Sequence, residues 1–483
     1  MATAVAQPQP GPGEADPGAR PGHGEPVAAP GRTDRPPHAP SADALPPGPR
    51  LSPTLQTLIW AFAPTWLLDN CAARFGETFT LTFAPSGRRL VLVSDPDAVK
   101  TVFTAPPEVA PSAAEDSPIA PIMGPSSVIT LVGAEHMRQR KLLLPPFHGE
   151  RMREYEQAIV QATRRSMGDW PLGEPMRLDE RTRAITLEVI LRAVFGVEAE
   201  RMEALRAAIG GLLGTARTPA LLLFALRRPS RERPGGRIGT ALAQLDAVIY
   251  EEIARRRAAP DLAERTDILS LLLLARDEDG QAMTDAELRD ELVTLLLAGH
   301  ETTATAVAWA VERLVRHPDK LARLVAEIDG GEGEEYVQAV ISETLRVRPV
   351  VPLVVRLLRE PLQVGDRLLP SGTRVVPSIY LTNRNPRVYD EPAQFRPERF
   401  LDKAGGRDIN PYAWIPFGGG IRRCIGASFA TLEMKVMLRT VLSELAPSLP
   451  PRTRRALRGG EHNRRRAITL VPSAGARVVW RAR

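Results

Sequence analysis

The chain has 483 residues, with 63 Lys+Arg against 57 Asp+Glu and a formal net charge of +6. No run of about 18 apolar residues occurs, so no membrane-crossing helix is expected; the best stretch, Leu58 to Leu68, is short and interrupted by Pro64. No basic segment followed by an apolar core opens the chain, which argues against a secretory leader, and only two cysteines, Cys71 and Cys424, exclude a disulfide scaffold and fit a reducing cytoplasm.

The first 50 residues hold 13 of the 46 prolines. Such a segment buries too little apolar surface to offset its ordering entropy, so residues 1–44 are expected to be a disordered tail. Strand-like runs follow at Thr78 to Phe83 and Arg89 to Ser94, separated by a Pro85-Ser86-Gly87 turn. After Pro96 the pattern turns helical, apart from residues 106–128, which are rich in Pro, Ser and Gly and read as a long loop. Leu178 to Val197 and Arg237 to Ala258 read as amphipathic helices. Between them an apolar patch, Leu221 to Leu226, suits either a lid or ordinary packing.

A helix of about Asp285 to Arg316 carries a capping-box signature at Thr284 and Glu287, with Pro318 marking its end. Another runs from about Glu334 to Val347. A hairpin is expected near Leu362 to Val376, turning at Gly365-Asp366. The last long helix starts near Cys424 and reaches about Leu445. The basic run Arg452 to Arg466 reads as a solvated surface loop. Arg outnumbers Lys 58 to 5 amid abundant Ala, Pro and Gly, a coding bias that says nothing of function. With no nucleic-acid module present, no nucleic-acid partner is expected.

Chemistry concentrates in five places. In Phe417-Gly418-Gly419-Gly420-Ile421-Arg422-Arg423-Cys424-Ile425-Gly426 the glycines permit positive φ and close backbone approach. A helix N-terminus and two arginines beside Cys424 are expected to lower its pKa, making it a nucleophile or a metal ligand. The spacing is neither a dinucleotide fingerprint nor a phosphate loop. In Ala298-Gly299-His300-Glu301-Thr302-Thr303, polar residues interrupt a buried helix; threonine bonding back to the i−4 carbonyl is expected to loosen it into a bulge suited to delivering protons or water. A zinc-protease reading fails because Ala304 stands where a second His is needed. Glu343 and Arg346 share one helix face. Pro397-Glu398-Arg399-Phe400 is uninformative alone. His136 and Arg140, at i and i+4, are placed to grip one anion.

Together these motifs, in this order, resemble the cytochrome P-450 superfamily of haem-thiolate monooxygenases, from about residue 45 to the C-terminus. The cysteine loop matches Phe-x-x-Gly-x-Arg-x-Cys-x-Gly at Phe417, Gly420, Arg422, Cys424 and Gly426. The resemblance implies a mainly α fold with a small β-rich region, in one large domain over 45–483, with a long central helix crossing over haem b. It implies that Cys424 is the axial thiolate on iron, and that Glu301 and Thr302 deliver protons for O2. It implies that Glu343, Arg346 and Arg399 form a structural network. His136, Arg140, Arg356 and Arg422 are implied to bind the haem propionates, with Ala298, Phe417, Gly418 and Gly426 also beside the cofactor. Substrate contacts are expected from the 106–128 loop, Leu221 to Leu226, Leu295, Leu296, Val351, Val354 and Ile468, mainly apolar, so the substrate is expected to be hydrophobic, such as a fatty acid, terpenoid, steroid or polyketide-like compound. Lack of an anchor before Pro46 resembles soluble bacterial members. Electrons from NAD(P)H are expected through a separate ferredoxin or flavodoxin and its reductase, which Arg423, Lys435 and Arg439 are placed to meet. A haem carrier or sensor, or a cysteine-nucleophile hydrolase, would leave the acid–threonine pair unexplained.

Overall fold

The computed structural model describes residues 44–114, 117, 119–147, 151–196, 199–215, 234–331, 333–401, 410–451 and 460–483. The expected N-terminal tail (up to residue 43), the patch Leu221 to Leu226 and residues 452–459 of the basic run lie outside them. The described residues belong to a unit of residues 37–483.

The unit is mainly helical, with small sheets at its margins. Strands β1 (Thr78–Phe83) and β2 (Arg88–Val93) form an antiparallel hairpin, as their alternation predicts. A short antiparallel strand, β3 (Pro175–Arg177), leads into the helix Leu178–Phe195, which ends at Gly196 in the left-handed region. Further along lie β4 (Arg356–Leu357), the hairpin β5 (Leu362–Val364) and β6 (Arg367–Leu369), and β7 (Arg374–Pro377). β7 runs parallel to β2 and antiparallel to β4, giving the order β1-β2-β7-β4. β8 (Leu445–Ser448) joins β3 and β11 (Arg477–Ala482) in a second sheet, and β9 (Asn463–Arg466) pairs with β10 (Thr469–Pro472).

The long helix runs from Asp285 to Leu314, about 45 Å at 1.5 Å per residue, through the largest core cluster. Its capping box is formed: the Glu287 N–H donates to Thr284 Oγ1 (3.2 Å) and the Thr284 N–H to Glu287 Oε2 (2.7 Å). Pro318 does not terminate this helix but opens the next, Pro318–Gly330, where a proline costs no hydrogen bond. Gly299 lets the long helix approach the helix Leu178–Phe195: a Cβ there would sit 3.1 Å from Ile190 Cδ1. At the other end Trp309, fully buried, donates from Nε1 to Leu470 O (3.0 Å) and so docks β10.

The helix Glu335–Val347 carries Glu343 and Arg346, both without solvent exposure. Arg346 grips the Glu343 carboxylate through Nε (2.6 Å) and Nη2 (2.8 Å). Its remaining protons go to the carbonyls of Asn383, Pro392 and Gln394, and its guanidinium lies over the Tyr389 ring. Glu343 also accepts from the Arg396 N–H (2.7 Å), and Arg399 Nε approaches it at 3.5 Å. Breaking one side of such a pair strands a buried charge and costs about 3–5 kcal/mol, a large share of a typical folding stability. Glu343→Ala is therefore expected to lower the unfolding free energy by that amount, read as a lower urea midpoint, or to abolish soluble folded protein. A midpoint equal to that of the parent would contradict this role.

Candidate active site

A cavity of about 730 Å³ lies between the long helix, the cysteine loop and the β1-β2-β7-β4 sheet. The long helix presents one stripe to it: Thr294, Leu295, Ala298, Gly299, Thr302 and Thr303 recur at helical spacing. Leu296 does not join them. It falls off the stripe and is buried in the core, which corrects the sequence expectation. Val351 and Val354 line the cavity, as do Ser112, Ala113, Ala114 and Val128 of the 106–128 loop. That loop is not wholly irregular: it contains a helical turn, Ala120–Met123, and a bridge from Ser112 to Arg356.

The cysteine loop is shaped by its glycines. Gly418 and Gly420 have φ of 68° and 65°, and a Cβ on Gly419 or Gly420 would collide with Phe103. A short turn, Gly420–Arg422, returns the chain so that the Cys424 N–H donates to Phe417 O (2.9 Å). The helix begins at Ala427, three residues later than the sequence suggests. Cys424 lines the cavity and is open to it. Here an expectation is reversed. The Gly426 N–H, Arg423 and Arg140 do favour the thiolate, but burial outweighs them and pushes the thiol up.

His136, Arg140, Arg356 and Arg422 all reach the cavity, beside Phe417, Gly418 and Gly426. Arg422 donates to Val128 O (2.6 Å) and Leu131 O. Burial lowers His136 to about 3, and Arg422, Arg140 and Arg356 push it the same way. Burial also lowers Arg356 to about 10, and burial with Arg356 and Arg140 lowers Arg422 to about 9. No carboxylate among the described residues offsets these groups, so this wall gathers three arginine cations around a histidine held neutral.

The Ala298–Thr303 segment shows no bulge; the helix is continuous through it. Thr302 Oγ1 donates to Ala298 O (2.7 Å) without breaking it. Glu301 does not line the cavity. It is turned away and paired with Arg466, which also approaches Asp179 (3.4 Å). His300 is buried against Thr186, whose hydroxyl donates to His300 O (2.8 Å), and burial lowers its ring to about 4. Lys435 and Arg439, expected to face a partner, share Glu334 at 3.1 and 3.7 Å, while Arg423 stays exposed.

Two residues escaped the sequence reading. Arg465, within the run expected to be a solvated loop, belongs to β9, lines the cavity and stacks 5.5 Å over Trp60. Glu433, on the helix after the cysteine, is buried and takes a hydrogen bond from Thr303, on the cavity stripe. Nothing in the sequence around it announced that burial.

Burial pushes Glu433 from 4.5 to about 8. A carboxyl raised in this way keeps its proton where the unfolded chain has lost it. Its contribution to stability therefore declines as pH rises from about 4.5 to about 8 and levels off above. Glu433→Gln is expected to remove that decline, melting several degrees higher than the parent near pH 9 and close to it near pH 5. Parallel melting-temperature profiles for the two proteins would contradict this.

Comparison with known proteins agrees with this geometry. The family model for cytochrome P450 matches residues 46–461. Cytochrome P450 135B1 of Mycobacterium tuberculosis is 40% identical over 450 residues, 92% of each chain. Cytochrome P450 137 of the same species is 40% identical over 459 residues, 92% of this chain and 93% of its own. Among solved structures, retinoic acid bound cyanobacterial CYP120A1 superposes with a TM-score of 0.77 at 25% identity, covering 91% of this chain and 99% of the other. The chain belongs to the cytochrome P450 family.

Proposed function

We propose that this cytochrome P450 monooxygenase holds haem b through Cys424 and inserts one oxygen atom of O2 into an apolar small molecule. The electrons come from NAD(P)H through a separate ferredoxin or flavodoxin and its reductase. The observation that carries this reading is one wall of the cavity: a single cavity-facing thiol beside four basic side chains with no counter-charge. That donor set fits the group. A soft sulfur suits iron, and guanidinium groups suit the two carboxylates of haem. Phe417 and the glycines Gly418 and Gly426 border the same space, which suits a flat ring system. When bound, haem supplies dioxygen activation, which thiolate ligation tunes toward O–O cleavage.

The chain's own residues then divide the work. His136, Arg140, Arg356 and Arg422 hold carboxylates. Arg140, Arg423 and the Gly426 N–H favour the thiolate against burial. Thr302 gives its hydroxyl proton to Ala298 O, so its oxygen is free to accept a hydrogen bond from the cavity side. Glu301 reaches that point only when its pair with Arg466 opens, which makes Arg466 the gate on its proton. Leu295, Val351 and Val354 exclude water and favour an apolar substrate. A structural neighbour was solved with retinoic acid, which is consistent with a substrate of that character.

Thr302→Ala is expected to leave substrate binding and NAD(P)H consumption in place while lowering product per NAD(P)H by roughly tenfold, with peroxide accumulating. The measurement is product, peroxide and NAD(P)H counted together in a reconstituted electron-transfer system. Parent-level coupling would overturn the proton-delivery role.

A further inference from the structure

The cavity walls are electrostatically one-sided. Among the described residues they include seven arginines and no Asp, Glu or Lys. Four of these arginines (Arg140, Arg356, Arg422 and Arg423) belong to the end that holds Cys424. The other three, Arg88, Arg374 and Arg465, belong to the outer end, where the β1–β2 hairpin and the β9–β10 ribbon meet the helix Pro53–Phe62.

Arg465 is the informative member. Its Nε donates to Ala467 O (2.8 Å), and its guanidinium lies over Trp60. Trp60 in turn packs edge-on against Phe83, with centroids 5.9 Å apart. Phe83 is the cross-strand partner of Arg88, and Arg374 is paired with Leu90 on the next strand. Burial alone moves the Arg465 pKa, downward, so no carboxylate compensates its charge. Desolvating a cation without a partner is costly, and an aromatic face returns only part of that cost. The guanidinium retains its terminal N–H fork, which matches a carboxylate in two-point fashion. Between the two cationic ends the walls are apolar, with Leu295, Ala298, Val351 and Val354 among them.

We infer that the outer end of the cavity is a carboxylate-binding subsite built on Arg465, so that the enzyme takes apolar molecules ending in a carboxylate and oxidises them away from that end. This rests on the haem-thiolate reading above, because the inner cations are then occupied by the cofactor and Arg465 remains for substrate.

The test compares dodecanoate with dodecan-1-ol, two probes that differ only in the head group. Binding to the holoenzyme is followed by the haem spin-state shift and, independently of haem, by titration calorimetry. The parent is expected to bind dodecanoate about tenfold more tightly than the alcohol, equivalent to about 1.4 kcal/mol, with the preference shrinking as salt rises. Arg465→Leu is expected to bring the two within about twofold of each other, chiefly by weakening dodecanoate, and Arg465→Lys to restore part of the preference. Equal binding of acid and alcohol by the parent would overturn the inference. So would a preference that survives Arg465→Leu in protein with the parent's haem spectrum. A parent that lacks a thiolate haem spectrum would instead sink the underlying reading, and calorimetry would still report the head-group preference.

Discussion

The site depends on one buried ion pair. Glu343 and Arg346 sit on the helix Glu335–Val347 with no access to solvent, and their charges are acceptable only because each is multiply bonded. Arg346 fixes Asn383 through its carbonyl, and the Asn383 side-chain oxygen accepts from the Ile415 N–H (3.0 Å). From the same helix Ser342 accepts from the Trp414 indole (3.1 Å). The next links are internal to the cysteine loop: Gly418 N–H to Ile415 O (2.9 Å) and Cys424 N–H to Phe417 O (2.9 Å). A hydrogen-bonded chain thus leads from a pair that never touches the cavity to the position of the sulfur. Removing one charge releases not only folding energy but also the anchor of the loop.

Electrostatics then explain the cavity. Burial raises the thiol of Cys424, lowers His136, and lowers Arg356 and Arg422, so desolvation works against the charged form of each group. The shifts share a leading cause, desolvation, and a dianionic metal complex would relieve them together. Coordination deprotonates a thiol outright, and two carboxylates compensate the basic wall. The folded chain is therefore charged in advance for its cofactor. The outer arginines extend the same pattern toward the substrate.

Local patterns made much of this readable. The capping box, the helix Glu335–Val347 and the β1–β2 hairpin are encoded within a few residues each, and they appear where the pattern puts them. The cysteine loop is equally local, since glycines and one cysteine announce a tight turn around a reactive group. What stayed hidden is long-range or depends on net desolvation. Glu301 is drawn from the cavity by Arg466, 165 residues away in sequence, and nothing near Glu301 announces that partner. Arg465 looked like part of a solvated run because its burial against Trp60 is set by tertiary packing. The direction of the Cys424 shift was misjudged because neighbouring charges are visible in sequence and burial is not. Leu296 was misplaced by one position, enough on a helix to turn a side chain from the cavity into the core.

The central claim is that Cys424 binds haem iron as a thiolate. The direct measurement is the absorption spectrum of the dithionite-reduced protein under carbon monoxide, recorded for the parent and for Cys424→Ser. The account predicts a Soret band displaced strongly to the red in the parent and absent from the variant. A parent that binds haem without that displacement, or a variant that keeps it, would contradict the account.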